Sequence, residues 1–202
     1  MLSQFNNNPA IGHCEAAKRC LRYLLATHDI GLFYPINEDV DDILFRITCD
    51  VGASYAACLL TRRSHTGAIW YINGCPVMWH SSRQSIVALS SCEAEYFAIC
   101  HAVKESKFLR QLLRDFGVET ETEATRSITF NDNQSAIQLG LEPALRKRSR
   151  HFDTRLHFVQ DEVLNQLQTL EWQATGELSA DSLTKSLSVE QTLYLRVKYM
   201  SG

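Results

Sequence analysis

Three acidic residues of this sequence, Glu95, Asp132 and Asp181, stand where a carboxylate could take part in chemistry. Glu95 is followed by apolar residues at spacings of three, four and seven, which puts it on the buried face of a predicted helix. Carboxylates are rarely buried without a partner, and a metal ion is one such partner. Glu95 is therefore a candidate metal ligand, and equally a candidate for a satisfied buried pair.

Asp132 and Asp181 have ordinary structural explanations when each is taken alone. Asp132 follows a predicted strand and could cap the next helix, and Asp181 could be an acidic residue of a first helical turn. Ligand sites of open α/β sheets gather outside strand ends, however, and several converging carboxylates are typical of a Mg²⁺ site. Two such ions about 4 Å apart can drive phosphodiester hydrolysis. We therefore expect Mg²⁺, or Mn²⁺, as the cofactor.

The helix that carries Glu95 has clear start and stop signals. Ser90 and Glu93 form a capping-box pattern that fixes its start, and Gly117 is typical of a helix end. The apolar run Ile86 to Leu89, just before the helix, predicts a short buried strand.

The remaining patterns predict an α/β fold with a five-stranded mixed sheet flanked by helices and preceded by an N-terminal helix. Asn73-Gly74, between two runs rich in strand formers, is a strong hairpin signal. Asn8-Pro9 predicts the start of the N-terminal helix, and the acidic turn from Asn37 to Asp42 is the best candidate for a domain boundary. The predicted strands of the sheet are residues 43–50, 68–72, 76–79, 127–130 and 168–172.

The composition excludes several classes of protein. The chain has 202 residues and a net charge of −3, so a basic field over the whole surface is absent. Seven Cys without a CxxC pair are typical of free thiols inside a cell rather than of a disulfide framework or a zinc site. The N-terminus has no signal-peptide pattern, and no apolar run reaches membrane-spanning length. We expect an intracellular protein, cytoplasmic or nuclear.

Several stretches resemble, in order along nearly the whole chain, the ribonuclease H domain of copia-type retrotransposon Pol polyproteins. Val87 to Tyr96 resembles that family's "VALSSTEAEY", and Asn131 to Ala136 resembles its "CDNQSA". His151 to Phe158 is similar to "HIDIRYHF", and Ala180 to Lys185 to "ADILTK". Ala16 to Leu24 resembles the helix that joins the reverse transcriptase to this domain.

The resemblance implies a ribonuclease H-like fold and a Mg²⁺-dependent endonuclease that cuts RNA in RNA–DNA hybrids. It places Glu95, Asp132 and Asp181 on three of the family's four catalytic and metal-binding acids. It also implies that residues 1–42 are a connection from the end of a reverse transcriptase and that residues 43–202 are the ribonuclease H-like domain. The implied partners are an RNA–DNA hybrid and the upstream reverse transcriptase domain of the same polyprotein.

The fourth acid is where the sequence departs from the family. An ungapped match downstream puts Gly52 on the position of the first catalytic Asp, and we favour this register. The alternative is that Asp50 serves as the fourth metal ligand, with a two-residue insertion after it. Asp50 and Gly52 lie on one face of a strand roughly 6.5–7 Å apart, which is far beyond the tolerance of a metal site. We therefore expect weakened or lost nuclease activity, or else a non-catalytic nucleic-acid-binding or interaction module, or a degenerate reading frame.

A basic run beside the proposed site is a candidate for contact with nucleic-acid phosphates. A solvated loop is the alternative interpretation of this run. Asn133 and Gln134 could contact sugar hydroxyls, or they could be capping and turn residues. The basic candidates are Arg146, Lys147, Arg148 and Arg150.

Overall fold

The computed structural model describes residues 2–32, 34, 45–118, 126–142 and 153–201. The chain divides into two compact units, one formed by Met1–Phe33 with Met200–Gly202 and the other by Tyr34–Tyr199. The predicted boundary between Asn37 and Asp42 lies outside the described residues. The division of the chain at residue 42 therefore stays a prediction.

The smaller unit contains one long helix and a short strand pair. A 3-10 turn, Leu2–Phe5, precedes helix α1, Ile11–Ala26, and strand β1, Gly31–Leu32, pairs antiparallel with β7, Met200–Ser201. The N-cap of α1 is Ala10, so the helix begins two residues later than Asn8-Pro9 predicted.

The larger unit is built on a five-stranded mixed sheet in the order β4-β3-β2-β5-β6. β2 pairs antiparallel with β3, and β3 with β4, whereas β2–β5 and β5–β6 are parallel. The mixed sheet predicted from the sequence is therefore confirmed, with Asn73 and Gly74 both at positive φ in the β3–β4 hairpin as the Asn-Gly signal indicates. The strands are β2, Ile47–Ser54; β3, His65–Ile72; β4, Cys75–Arg83; β5, Ser127–Asn131; and β6, Gln168–Trp172.

Helices pack against this sheet and bury its central strands. The helices of this unit are α2, Ser91–Asp115; α3, Gln134–Leu141; α4, Asp153–Leu164; α5, Asp181–Thr184; and α6, Val189–Arg196. Trp70 of β3 is fully buried, and its Nε1–H donates to Ala102 O at 3.3 Å and to Ser106 Oγ at 3.2 Å on α2. The indole thus ties the long helix to the sheet, because a buried N–H needs a partner.

The limits of α2 follow its sequence signals. Ser90 is the N-cap, with its Oγ accepting from Glu93 N at 3.1 Å, and the Glu93 carboxylate accepts from Leu89 N at 2.7 Å. Gly117 adopts a φ of 79° just beyond the C-cap, a conformation that glycine reaches without strain.

The prediction of a buried strand at Ile86 to Leu89 is wrong. These residues form an irregular connection between β4 and α2, and Val87 and Leu89 are 50% and 75% exposed. A run of strand formers becomes a strand only where it pairs with a neighbour, and residues 86–89 lead into α2 without pairing with the free side of the edge strand β4. The seven cysteines are free thiols. Among the described residues, no helix combines the length and the apolar character needed to cross a membrane.

Candidate active site at the ends of β2 and β5

Glu95 is held at the start of α2 by two hydrogen bonds to its carboxylate. Its Oε2 accepts from the backbone N of Ala53 at 3.0 Å and from Asn131 Nδ2 at 2.9 Å. The residue is 8% exposed, as the helical period predicted. Burial is the main reason that the pKa of Glu95 is raised to about 7. The hydrogen bond from Asn131 opposes this shift, and the negative charges of Asp132 and Asp181 add to it.

Asp132 follows β5 directly, beside the end of the parallel strand β2. Its Oδ2 accepts from Thr175 Oγ1 at 2.8 Å, and its backbone carbonyl accepts from Trp172 Nε1 at 3.1 Å. The side chain caps no helix here, because the N-cap of α3 is Asn133, whose Oδ1 accepts from Ala136 N at 3.0 Å. The capping explanation for Asp132 is therefore wrong.

Asp181 opens the short helix α5, and Lys185 neutralises part of its charge. Lys185 Nζ lies 2.8 Å from Asp181 Oδ2, and the carboxylate is largely buried. Burial raises the pKa of Asp181. The ion pair with Lys185 lowers this pKa, and the negative charge of Asp132 raises it. Gly67 of β3 allows α5 to lie this close, because a Cβ there would be 2.8 Å from Ala180 O.

These three carboxylates form one electrostatic group. Asp132 and Asp181 each raise the pKa of Glu95, and Asp132 also raises the pKa of Asp181. A neighbouring like charge disfavours the ionised form of a carboxyl group. The structure places Glu95 and Asp181 on either side of Gly52, and Asp132 directly after the neighbouring strand β5.

The Asp50 carboxylate has hydrogen-bond partners of its own. Its Oδ2 accepts from both the backbone N and the Oγ of Ser179, and Ser179 Oγ lies 2.8 Å from the Tyr71 hydroxyl. Burial raises the pKa of Asp50, partly offset by the two Ser179 hydrogen bonds and by Lys198. The Asp50 carboxylate is thus committed to the segment that leads into α5.

Gly52 lies between the acids. A Cβ at this position would be 3.9 Å from Asp181 Oδ1 and 4.0 Å from Glu95 Oε2, and 3.3 Å from Leu178 Cδ2. A side chain at residue 52 would therefore point among the carboxylates, whereas Asp50 is turned toward Ser179.

The donor chemistry of three carboxylates suits a hard divalent cation. Within the described part of the chain, however, no three His, Cys, Asp or Glu side chains lie close enough together to hold a metal ion. The residues present are therefore at most a partial donor set, and Gly52, which lies between Glu95 and Asp181, has no side chain that could add an oxygen.

The candidate nucleic-acid contacts divide into two groups. Asn133 is engaged as the N-cap of α3, and Gln134 is exposed in the first turn. The basic residues Arg146, Lys147, Arg148 and Arg150 lie outside the described residues and stay a prediction.

Two residues of the site were missed by sequence reasoning. Asn131 donates to Glu95 Oε2 and to Val51 O, and its own Oδ1 accepts from Asn133 N, so it fixes the position of Glu95. Ser179 connects Asp50 to the α5 segment. Asn131 could have been considered as the neighbour of Asp132, whereas no local signal marks Ser179.

The raised pKa of Glu95 predicts a pH-dependent stability in metal-free buffer. The Glu95 carboxyl group stays protonated to a higher pH in the folded protein than in the unfolded chain. The free energy of unfolding therefore falls as the pH rises from about 4.5 to about 7. In the Glu95→Gln variant this fall should be smaller by about 2 kcal/mol. Urea titrations of both proteins at pH 4.5 and pH 7.5 measure the difference. Glu105→Gln, on the same helix, is the control. Equal pH dependence in wild type and Glu95→Gln would contradict the prediction.

Sequence comparison connects this site to known proteins. No protein-family model matches the chain. The retrovirus-related Pol polyprotein of transposon TNT 1-94 from Nicotiana tabacum is 33% identical over 185 residues, which are 92% of this chain and 13% of that protein. This chain belongs to the retrotransposon Pol family. It corresponds to the copia-type ribonuclease H segment that the motifs resemble, and it has the ribonuclease H-like fold.

The Pol segment is a small part of the polyproteins that it matches. It spans 12–13% of the length of the TNT 1-94, RE1 and RE2 polyproteins. A different kind of relative, the secreted RxLR effector protein 161 of Plasmopara viticola, is 37% identical over 109 residues. That match covers 54% of this chain and 73% of the effector. Sequence of this type therefore also occurs in proteins far shorter than a Pol polyprotein.

Among solved structures, the N-terminal RNase H domain of Rv2228c from Mycobacterium tuberculosis has a TM-score of 0.49 to this segment. The two are 12% identical, over 69% of this chain and 91% of that chain. We base the fold on the strand order of the Pol segment and on its sequence relatives.

Proposed function

We propose that this Pol segment is a hybrid-binding ribonuclease H domain whose hydrolysis of RNA is impaired because Gly52 replaces the first catalytic acid. The observation that carries the proposal is the position of Gly52, whose added Cβ would lie within about 4 Å of carboxylate oxygens from both Glu95 and Asp181. A carboxylate at residue 52 would join the other acids, and glycine contributes none.

Two further observations support impairment. Asp50, the alternative fourth acid, accepts two hydrogen bonds from Ser179, so its carboxylate is already engaged. Asp181 already carries an ion pair with Lys185. With three carboxylates and one close ammonium group, the site has less negative charge with which to attract Mg²⁺ or Mn²⁺ than a four-acid site would have.

The upstream partner is the reverse transcriptase part of the same polyprotein, to which residues 1–42 would be the connection. Helix α1 has no buried residue among those described, and Leu21, Leu24 and Leu25 are more than 60% exposed. An apolar helix face of this kind is typical of a segment that packs against another part of a longer protein.

The proposal is tested with a fluorescently labelled RNA–DNA hybrid and the unmodified segment. We expect binding in EDTA and little cleavage after Mg²⁺ is added, measured by anisotropy and by gel. Cleavage at the rate of a fully active ribonuclease H would overturn the impairment, and absence of hybrid binding would overturn the assignment of substrate.

A non-catalytic binding or interaction module on the same fold is the second candidate, and the missing carboxylate at Gly52 favours it. The two candidates differ in what a restored carboxylate does. An impaired nuclease regains cleavage when residue 52 becomes Asp, whereas a module that has lost the site more widely stays inactive.

A further inference from the structure

A second polar site lies between β4, the connection that follows it, α2 and α4. It is a cavity of about 370 Å³ that none of the three acids lines. Three of its lining residues are cationic, and no Asp or Glu is among the described residues that line it. The cations are Arg83, Lys104 and Arg155.

Arg155 is held in place by an aromatic ring. Its guanidinium carbon lies 4.4 Å from the centroid of the Phe97 ring, and both residues line the cavity. A cation–π contact of this type favours one position of the guanidinium, whose N–H groups match the oxygens of a phosphate. Lys104 is 73% exposed and adds a mobile positive charge at the rim.

Two histidines also line the cavity. The rings of His80 and His101 are 4.2 Å apart between centroids, and His80 Nε2 lies 2.6 Å from Ser82 Oγ. His101 Nε2 is buried and has no hydrogen-bond partner within the described structure. Buried ring nitrogens normally have a partner, so this atom leaves room for a ligand oxygen or a water.

One nearby carboxylate opposes this charge. Glu105 Oε1 lies 3.8 Å from Lys104 Nζ and 4.0 Å from His101 Nδ1. It offsets one of the three positive charges, and the cavity keeps an excess of positive charge and of N–H donors. Such a set attracts an anion with several acceptor oxygens.

We propose that this cavity binds a phosphate group. The phosphate is either part of a nucleic-acid backbone or a free phosphate, and only the first source rests on the proposed function. The cavity and the acids are connected through α2, because Gln84, which lines the cavity, donates to the carbonyl of Ala94, the residue before Glu95.

The test uses two variants and one control. Arg155→Gln and Lys104→Gln each remove one charge from the cavity, and Arg114→Gln removes the same charge elsewhere on α2. The melting temperature is compared in inorganic phosphate and in chloride at equal ionic strength. Phosphate should raise the melting temperature of the wild type and of the control by about 2–4 °C, and that of the two variants by less than half as much. Hybrid affinity, measured in EDTA, should fall about 5-fold in each variant, with a salt slope smaller by about 0.9.

The outcomes separate the two sources. Loss of both responses supports a backbone phosphate, and loss of the phosphate response alone supports a free phosphate. Variants that respond to phosphate as wild type does, whatever their hybrid affinity, overturn the site. None of these measurements depends on cleavage, so they stay valid if the protein proves not to be a nuclease. A wild-type protein that responds to phosphate but does not bind the hybrid would overturn only the proposed function.

Discussion

Gly52→Asp is expected to raise Mg²⁺-dependent cleavage of an RNA–DNA hybrid by about 100-fold, the scale on which single charged or polar groups of an active site act. The new carboxylate would start from a Cβ about 4 Å from the oxygens of Glu95 and Asp181, so it would complete the acidic group. The side chain has room if Leu178 Cδ2, 3.3 Å away, shifts by a few tenths of an ångström. The residue is not at positive φ, so a side chain there brings no backbone strain.

A second measurement on the same variant tests metal binding apart from turnover. Ligand linkage requires that Mg²⁺ raise the melting temperature of a protein that binds it in the folded state. We expect a larger rise for Gly52→Asp than for wild type. Gly52→Asn has the same size without the charge, and it should gain neither the rise nor the cleavage.

The opposite result would assign the first catalytic position to Asp50. If Gly52→Asp leaves the cleavage rate unchanged while Asp50→Asn abolishes the residual rate of wild type, the register that places Gly52 among the acids is wrong. A Gly52→Asp protein that binds Mg²⁺ and hybrid but does not cut would instead support the non-catalytic module.

Asp50→Ala is expected to lower the free energy of unfolding by about 3 kcal/mol, because it leaves buried donors without an acceptor. The Ser179 N–H and hydroxyl both donate to Asp50 Oδ2, and Ser179 is fully buried. Asp50→Asn keeps an acceptor oxygen and should cost less. Urea titrations measure the free energy of unfolding of both variants. The control is Asp115→Ala, at an exposed position at the end of α2, which should change this free energy by less than about 0.5 kcal/mol.

Cleavage assays separate the positioning role of Asp50 from a chemical one. Ser179 is two residues before Asp181, so Asp50 holds in place the segment that carries a catalytic candidate. In a Gly52→Asp background, Asp50→Asn should keep most of the gained activity, provided that the protein is folded. Complete loss of cleavage with unchanged stability would show that Asp50 takes part in the chemistry.

The local signals of the sequence describe much of this molecule correctly. The period after Glu95 indicated its burial, the Asn-Gly pair indicated the β3–β4 hairpin, and Ser90 and Gly117 marked the ends of α2. Each of these features depends on residues within a few positions of one another, so its physical cause is contained in a short stretch of chain.

Features that depend on distant partners were not determined in this way. The run from Ile86 to Leu89 has the residues of a strand, but no neighbouring strand pairs with it. Asp132 was equally compatible with a helix cap until Asn133 was seen to fill that position. Strand pairing and capping are competitions between candidates, and the outcome depends on what lies nearby in space.

The sequence by itself determined which residues are acidic, where the long helix α2 and the β3–β4 hairpin lie, and that Asp132 follows a strand. Only the tertiary structure shows that Asp50 and Gly52 have different surroundings. A segment 129 residues further along the chain places Ser179 against Asp50, and α5 places Asp181 beside Gly52. Two positions on the same face of one strand differ only in what packs over them, and that contact is made by the folded chain.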